Sequence, residues 1–468
     1  MTLLAFLVAL GVLITVHEWA HYRVAVASGV KVLTFSVGFG KPLLRWKSRR
    51  PHPGQDTEFV IGLIPLGGYV RMLDEAEGDV PLPLAHRAFN RQSLRVRSAI
   101  VAAGPLANVL LAVLLYACIA LYGQHQTRAI VSTPLAGSVA HAAGVQSGDE
   151  VLRVGDSPES LKEVNSLEDL RWWLMGLSDD VTQVWWEVQP QGVAGKKILT
   201  LKKNQATDES ASDTSSEARR VTWALADLGI QGPWTAPVLG ELQPGQPAQK
   251  AGLSRGDVVL RIDGQKIHDA AMLRQSIRDS GAQGAPRTQV WEVQRRQHGL
   301  LMLEVTPEWV SEAGRQHGRI GAHVGGVALT HWVQMGVVES VRHALERTWD
   351  MAAMTLQMLA KMVVGQASWD NLSGPITMAD YAGKTASLGL TAYLSYLAVL
   401  SVSLGVFNLL PVPMLDGGHL MYYLYEAISG RPVSLAVQGF LQRFGLAVLM
   451  ALMAVSFFND VMRLGWLN

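Results

Sequence analysis

The stretch that most constrains this chain is His17-Glu18-Trp19-Ala20-His21, because the run leading into it, residues 3 to 16, holds no charged residue. Ionisable side chains in a segment apolar enough to cross a bilayer are costly, and they are kept where they serve a function. On a helix, positions i and i+4 share a face. His17 and His21 can therefore address one ion while Glu18 stands beside it, the H-E-x-x-H pattern of zinc proteases. The plainer reading is two polar residues satisfied between packed helices, so the setting has to discriminate.

Of the 468 residues, 49% are hydrophobic and only 17% charged, which is too apolar for an ordinary soluble enzyme and implies a membrane protein with soluble portions. A net charge of +1 gives no reason to expect a nucleic-acid partner, and with Cys118 as the one cysteine no intramolecular disulfide can form. Four segments can span: residues 1–26, carrying the histidine motif, then 98–123, 388–415 and 440–460. The first is not expected to be a cleaved signal peptide, since no basic residue follows Met1 and no small-residue cleavage site ends it. Between the first two spans, residues 27–97 carry eleven Lys and Arg, which places this segment in the cytoplasm. Both termini and the long segment from about 124 to 387 are then extracytoplasmic, and residues 417 to 438 form a cytoplasmic loop.

Within residues 27–97, the run containing Ile64, Leu66, Gly67, Gly68 and Tyr69 reads as two short strands turning at Gly67-Gly68. It is too apolar for a soluble hairpin. Either it dips into the membrane shielded by the spans, or it belongs to a small cytoplasmic β-domain on the membrane surface. The second span opens with small residues around Gly104 that allow close helix packing, and Asn108 serves as an interhelical polar contact or a support for the site.

The extracytoplasmic segment repeats itself. Ala143-Gly144-Val145-Gln146-Ser147-Gly148-Asp149 recurs 108 residues later as Ala251-Gly252-Leu253-Ser254-Arg255-Gly256-Asp257, each copy preceded by a proline-containing turn. These runs are similar to those of PDZ domains of the bacterial-protease type, which bind extended peptides along a sheet edge, and two copies are expected at 128–225 and 226–309. They could equally be rigid spacers or a steric lid. Residues 204 to 220, polar and Ser-rich, read as a disordered insertion in the first copy. Residues 335–387 form an amphipathic helical region, lying on the outer membrane surface or against the bundle, broken by Gly374-Pro375.

The third span ends in Asn408-Leu409-Leu410-Pro411-Val412-Pro413-Met414-Leu415-Asp416-Gly417-Gly418-His419. Prolines and glycines in such a row unwind a helix at membrane depth, and Asp416 in that setting calls for a cation. At 1.5 Å per residue, His17 lies about 21 Å along its helix from Leu3, toward the cytoplasmic side of a hydrocarbon layer of about 30 Å. The third span runs in the same direction, so Asp416 arrives at similar depth. His17, His21 and Asp416 would then be three ligands of a catalytic Zn2+ with one position open, Glu18 the general base, and His419 a supporting donor rather than a fourth ligand.

These three features together, in this order and on these spans, resemble the site-2 protease family of intramembrane zinc metalloproteases. That resemblance covers nearly the whole chain. It implies a polytopic α-helical membrane protein with four transmembrane helices, a membrane-associated β-hairpin and two extracytoplasmic PDZ-like α+β domains in a bacterial inner membrane. It further implies cleavage of transmembrane segments of single-pass proteins, such as a pre-trimmed anti-sigma factor, and of remnant signal peptides. By the same resemblance Asn408, with Pro411 and Pro413, helps hold substrate, and the strand edge from Ile64 through Leu66, Gly67 and Gly68 to Tyr69 pairs with an unwound substrate. The family's usual H-E-F-G-H is His-Glu-Trp-Ala-His here, which keeps a bulky residue before a small one. A metal transporter would show polar residues in more spans and would leave the repeats unexplained. An inactive PDZ-bearing scaffold would not need an intact Glu18.

Overall fold

The computed structural model describes residues 2–49, 52–178, 180–203, 223–280, 287–296, 298–312, 315–365 and 374–463, and divides into two compact units. The Ser-rich stretch 204 to 220 lies outside the described residues. One unit comprises Met1–Gln124 and Gln334–Asn468, the other His125–Val333.

The first unit begins with α1 (Thr2–Ala27), whose buried residues Phe6, Ala9, Leu13, His17, His21 and Ala25 recur every three or four positions. The two histidines thus continue the stripe that faces the protein, as helical periodicity requires. The chain then forms β1 (Val32–Lys47) and β2 (Glu58–Met72), and after a 3-10 turn at Leu82–Arg87 it enters α2 (Leu94–Tyr122). Here the structure departs from the hairpin expected at Gly67-Gly68. β2 runs straight through both glycines, and its partner is β1. Val32 pairs with Met72 and Val37 with Gly68 in antiparallel register, and Lys47 with Glu58 likewise. Between these, Thr34 to Val37 run beside Glu58 to Ile61 with both numbers rising, so two long bent strands build a sheet four segments wide. The glycines are sheet residues because the backbone comes close to other groups there: a Cβ at Gly67, whose φ is +142°, would lie 2.3 Å from the Phe39 ring.

The second unit holds two sheets of the same connectivity. β3 (Gln124–Thr127) leads into α3 (Val139–Ala142), β4 (Glu150–Gly155), β5 (Lys162–Glu163), α4 (Leu167–Met175), β6 (Gln183–Gln189) and β7 (Lys197–Lys202), with strand order β5-β4-β6-β7. β8 (Leu239–Leu242) leads into α5 (Pro247–Lys250), β9 (Val258–Ile262), β10 (Gln265–Lys266), α6 (Ala270–Arg278), β11 (Gln289–Arg295) and β12 (Gly299–Val305), in order β10-β9-β11-β12. Corresponding strands bury Trp186 and Trp291 completely, and corresponding helices are capped by Ser166 and Asp269, whose side chains accept the amides of Asp169 and Met272. The cores reach beyond the expected ends at 225 and 309. Leu228 and Ile230 complete the first, and Ile320 with β15 (Ala322–Val324), paired to β8, completes the second. Between them, β13 (Glu308–Glu312) and β14 (Arg315–Arg319) pair with each other, while β16 (Thr330–Val333) returns to β3.

The chain rejoins the first unit through α7 (Val337–Val363), α8 (Pro375–Leu388), α9 (Leu390–Leu409), α10 (Asp416–Ser429) and α11 (Leu435–Arg463). The described residues of the region 335–387 thus hold two helices, and α7 packs along α2 and α9 with Ser340, Ala344, Thr348 and Met351 buried. The third span is shorter than residues 388–415: its helix ends at Leu409, and Asp416 opens a separate helix that occupies much of the expected loop 417 to 438. Among the described residues, four helices are long and apolar enough to cross a membrane, within Thr2–Ala27, Leu94–Tyr122, Leu390–Leu409 and Ala436–Met462, which makes the chain a polytopic membrane protein.

Candidate metal centre

Three elements distant in sequence deliver the centre. α1 supplies His17 and His21 one turn apart. The start of α10 supplies Asp416, where the positive end of the helix favours a carboxylate. α2 lies alongside and supplies no ligand but most of the support.

Nε2 of His17 lies 3.2 Å from Nε2 of His21 and 3.2 Å from Oδ2 of Asp416, which is 3.6 Å from Nε2 of His21. Ligands bound tetrahedrally to zinc at its usual bond lengths stand about 3.3 to 3.5 Å apart, so this spacing fits one such ion. Among the described residues, these are the three His, Cys, Asp or Glu side chains whose donor atoms converge in this way. The two imidazoles are 9% and 8% exposed, and burial on that scale excludes most of the water that would otherwise solvate them.

The other ring nitrogens are spoken for. Nδ1 of His21 donates to the carbonyl of Ile100 at 2.7 Å, so its Nε2 is left with a free lone pair pointing at the centre. Nδ1 of His17 faces the side-chain amide of Asn108 at 3.2 Å, and Asn108 is wholly buried with an otherwise unpartnered Oδ1. It is the amide nitrogen that faces Nδ1; a bond that leaves Nε2 of His17 free requires the amide turned about, with Oδ1 accepting from Nδ1–H. Asn108 is itself anchored, since its carbonyl accepts the Ser401 hydroxyl of α9 at 2.7 Å. Gly104 lies between these two supports, and a Cβ there would come 2.2 Å from His21 Nε2 and 2.7 Å from His17 Nε2. The empty space at Gly104 is part of the centre.

Glu18 is half-buried and lies beneath the β-sheet: a Cβ at Gly68 would be 2.7 Å from its Cγ and 2.7 Å from the Ser36 carbonyl. Gly68 is thus brought to the expected base. Tyr69 is exposed and stacks on Phe39 at 6.3 Å, and Ile64 is exposed on the same strand; the side chain of Leu66 lies outside the described residues. Trp19 packs on Tyr22 and Phe35, fastening α1 to β1. Asn408 is half-buried near the end of α9, Pro411 is exposed, and the Pro413 carbonyl lies so near α11 that a Cβ at Gly445 would be 2.2 Å from it. The turn between α9 and α10 needs its glycines, because Cβ atoms at Gly417 and Gly418 would meet the carbonyls of Leu410 and Val412 at 2.2 and 2.4 Å. Met414 there has φ of 89°, a conformation uncommon for a residue with a side chain. His419 is not one of the converging groups and packs its ring edge-on to Tyr422.

The Ile100 carbonyl and Phe39 were not legible as site groups. A main-chain acceptor leaves no mark in residue type, and an aromatic ring beside a glycine is one of many in an apolar strand.

Two imidazoles and a carboxylate converging at membrane depth, with a second carboxylate beside a strand, define a metallopeptidase built into membrane-spanning helices. The sequence pattern of peptidase family M50 matches residues 5–452. A protein of Ralstonia nicotianae named as a candidate zinc metalloprotease is 39% identical over 479 residues, covering 99% of each chain. The regulator of sigma-E protease of Escherichia coli is 38% identical over 475 residues, covering 99% of this chain and 98% of its own, and a protease of Yersinia pestis is 37% identical over 477 residues, covering 99% of each. The chain belongs to peptidase family M50, the site-2 proteases.

Proposed function

We propose that this enzyme is a zinc endopeptidase of the inner membrane in which His17, His21 and Asp416 hold the ion and Glu18 is the general base. The observation that carries the reading is the convergence of the three donor atoms to within 4.8 Å, next to a strand whose Gly68 abuts Glu18. When bound, zinc supplies Lewis acidity toward the scissile carbonyl and the attacking water. The Ile100 carbonyl holds the His21 imidazole in the tautomer that leaves Nε2 free, and Asn108 orients the His17 ring. Glu18 takes a proton from the attacking water and passes it to the leaving amine.

A peptide bond within a transmembrane helix has its carbonyl and amide committed to the helix, so the substrate must unwind before it can react. The edge at Ile64, Leu66, Gly67, Gly68 and Tyr69 would accept the freed segment by strand addition, with Asn408, Pro411 and Pro413 on the facing side of the cleft. Support comes from the exposure of Ile64 and Tyr69 along this strand. The substrates are transmembrane segments of single-pass proteins, anti-sigma factors already trimmed outside and remnant signal peptides among them; the sigma-E regulator named among the relatives favours the former. The eleven basic residues of 27–97 support an orientation with that segment and the centre toward the cytoplasm, and with both termini and the two repeated domains, read as PDZ-like, in the periplasm.

Co-expression with a tagged single-pass substrate tests the assignment. Wild type should release the cleaved fragment, whereas Glu18→Gln and His17→Ala should leave the substrate intact at equal abundance. Cleavage persisting in Glu18→Gln would sink the mechanism.

A further inference from the structure

We infer that Arg97 and Glu426 are positioning residues that set Asp416 against the histidine pair by latching α10 to α2. This rests on the metal-site reading above and adds residues that lie outside the centre.

α2 turns a single face to the site. Arg97, Ile100, Gly104 and Asn108 follow one another at intervals of three, four and four, and so lie on one side of the helix. Three of them serve the histidines. Arg97 serves α10: its Nη2 lies 2.6 Å from Glu426 Oε1, its guanidinium stands 5.0 Å from the centre of the Tyr423 ring, and its Nε donates to the Gln92 carbonyl at 3.2 Å. On α10, Asp416, Tyr423 and Glu426 again share a face, seven and three residues apart. The pair is 16% and 20% exposed, dry enough for the contact to exceed what a surface ion pair contributes.

What makes this pair consequential is that α10 is a helix of its own, broken from its neighbours at both ends. Before it comes the unwound turn with Met414 in a left-handed conformation, and after it the helix stops at Gly430 with φ of 70°. The near end is held by the close packing of Gly417 and Gly418 on the turn, and a latch about 15 Å from Asp416 along α10 holds the other, since tilting or turning the helix about that anchor moves the carboxylate at its far end. The same helix that orients the histidines therefore also aligns the carboxylate, so all three ligands refer to one rigid element.

The test uses purified full-length enzyme, zinc affinity measured by competition with a chelating indicator, and thermal unfolding of the ion-free protein. Glu426→Gln and Arg97→Ala should each weaken zinc binding about tenfold, the range seen when supports behind metal ligands are lost. The exchanged pair Arg97→Glu with Glu426→Arg should recover most of that affinity. Arg295→Ala, which breaks a buried ion pair in the other unit, should lower stability and leave zinc affinity at the wild-type level. If either single variant does not fold, Arg97→Lys, which keeps the charge but not the forked geometry, should show a smaller loss of the same kind. Wild-type zinc affinity in Glu426→Gln, while His17→Ala loses zinc, would refute the latch and leave the centre standing. Retention of zinc by His17→Ala would refute the centre itself.

Discussion

Gly104→Ala adds a single methyl group at the one place on α2 where the histidines leave no room. The new carbon would stand 2.2 Å from His21 Nε2 and 2.7 Å from His17 Nε2, against a van der Waals contact of about 3.5 Å. The imidazoles cannot swing aside cheaply, because His21 would give up the Ile100 carbonyl and His17 the Asn108 amide. Separating α1 from α2 instead would open packing around the buried Leu13 and Ile100. Overpacking of this kind costs about 1 to 3 kcal/mol. If the strain falls on the metal-binding geometry, zinc affinity drops by about 5- to 140-fold, at about 1.4 kcal/mol per factor of ten. Gly11→Ala is the control: it sits on α1 with nothing within 4 Å of the new carbon, and should gain about 0.5 to 1 kcal/mol from improved helix propensity. Zinc affinity and substrate cleavage measured on both proteins decide the matter. Wild-type affinity in Gly104→Ala would show that the two helices do not meet as closely as this reasoning requires.

Gly68→Ala should separate catalysis from metal binding, since its methyl would collide with Glu18 and the Ser36 carbonyl, and none of the three atoms nearest it belongs to His17, His21 or Asp416. The expected outcome is full zinc content with cleavage reduced by tenfold or more in a substrate assay, of the order lost when a general base is displaced. In the two repeated domains, the matching aspartates respond oppositely to pH. Burial works to raise Asp257, but the Arg295 guanidinium at 2.8 Å and the Ser254 amide outweigh it and hold its carboxyl below the usual value. Its stabilising effect is therefore present above the unfolded-state value of about 4 and is lost as pH falls through the lowered one, so Arg295→Ala should destabilise the second domain at pH 7 and progressively less below pH 4. Asp149 has the same turn amide, from Gln146, but no arginine, and burial pushes its carboxyl up. The protonated form is favoured in the fold, the benefit being lost as pH rises through the raised value, so Asp149→Asn should stabilise the first domain at pH 7 and not below pH 4. Hydrogen-exchange protection of the Trp186 and Trp291 amides, corrected for the intrinsic pH dependence of exchange, reads both effects.

His17, Glu18 and His21 could be read from the chain alone because helical spacing is a local property, and their place in an uncharged run marked them as costly. Asp416 was legible for a related reason: prolines and glycines beside a carboxylate at membrane depth have few other uses. The repeat at Asp149 and Asp257 showed itself by residue identity, although not the lengths of the cores, since Leu228, Ile230 and Ile320 join them through packing that no local pattern encodes. The strand through Gly67-Gly68 was misread as a turn because a glycine pair reports backbone freedom without saying whether that freedom serves a bend or a close approach.

What the sequence by itself determined, then, was the apolar spans and which side chains are candidate metal donors, all properties of short windows with a fixed period. Only the tertiary structure decided how His17, His21 and Asp416 are held. The carbonyl of Ile100, the amide of Asn108, the void at Gly104 and the Arg97–Glu426 contact belong to α2, which carries no ligand, and they act through distances that exist only once the helices have packed.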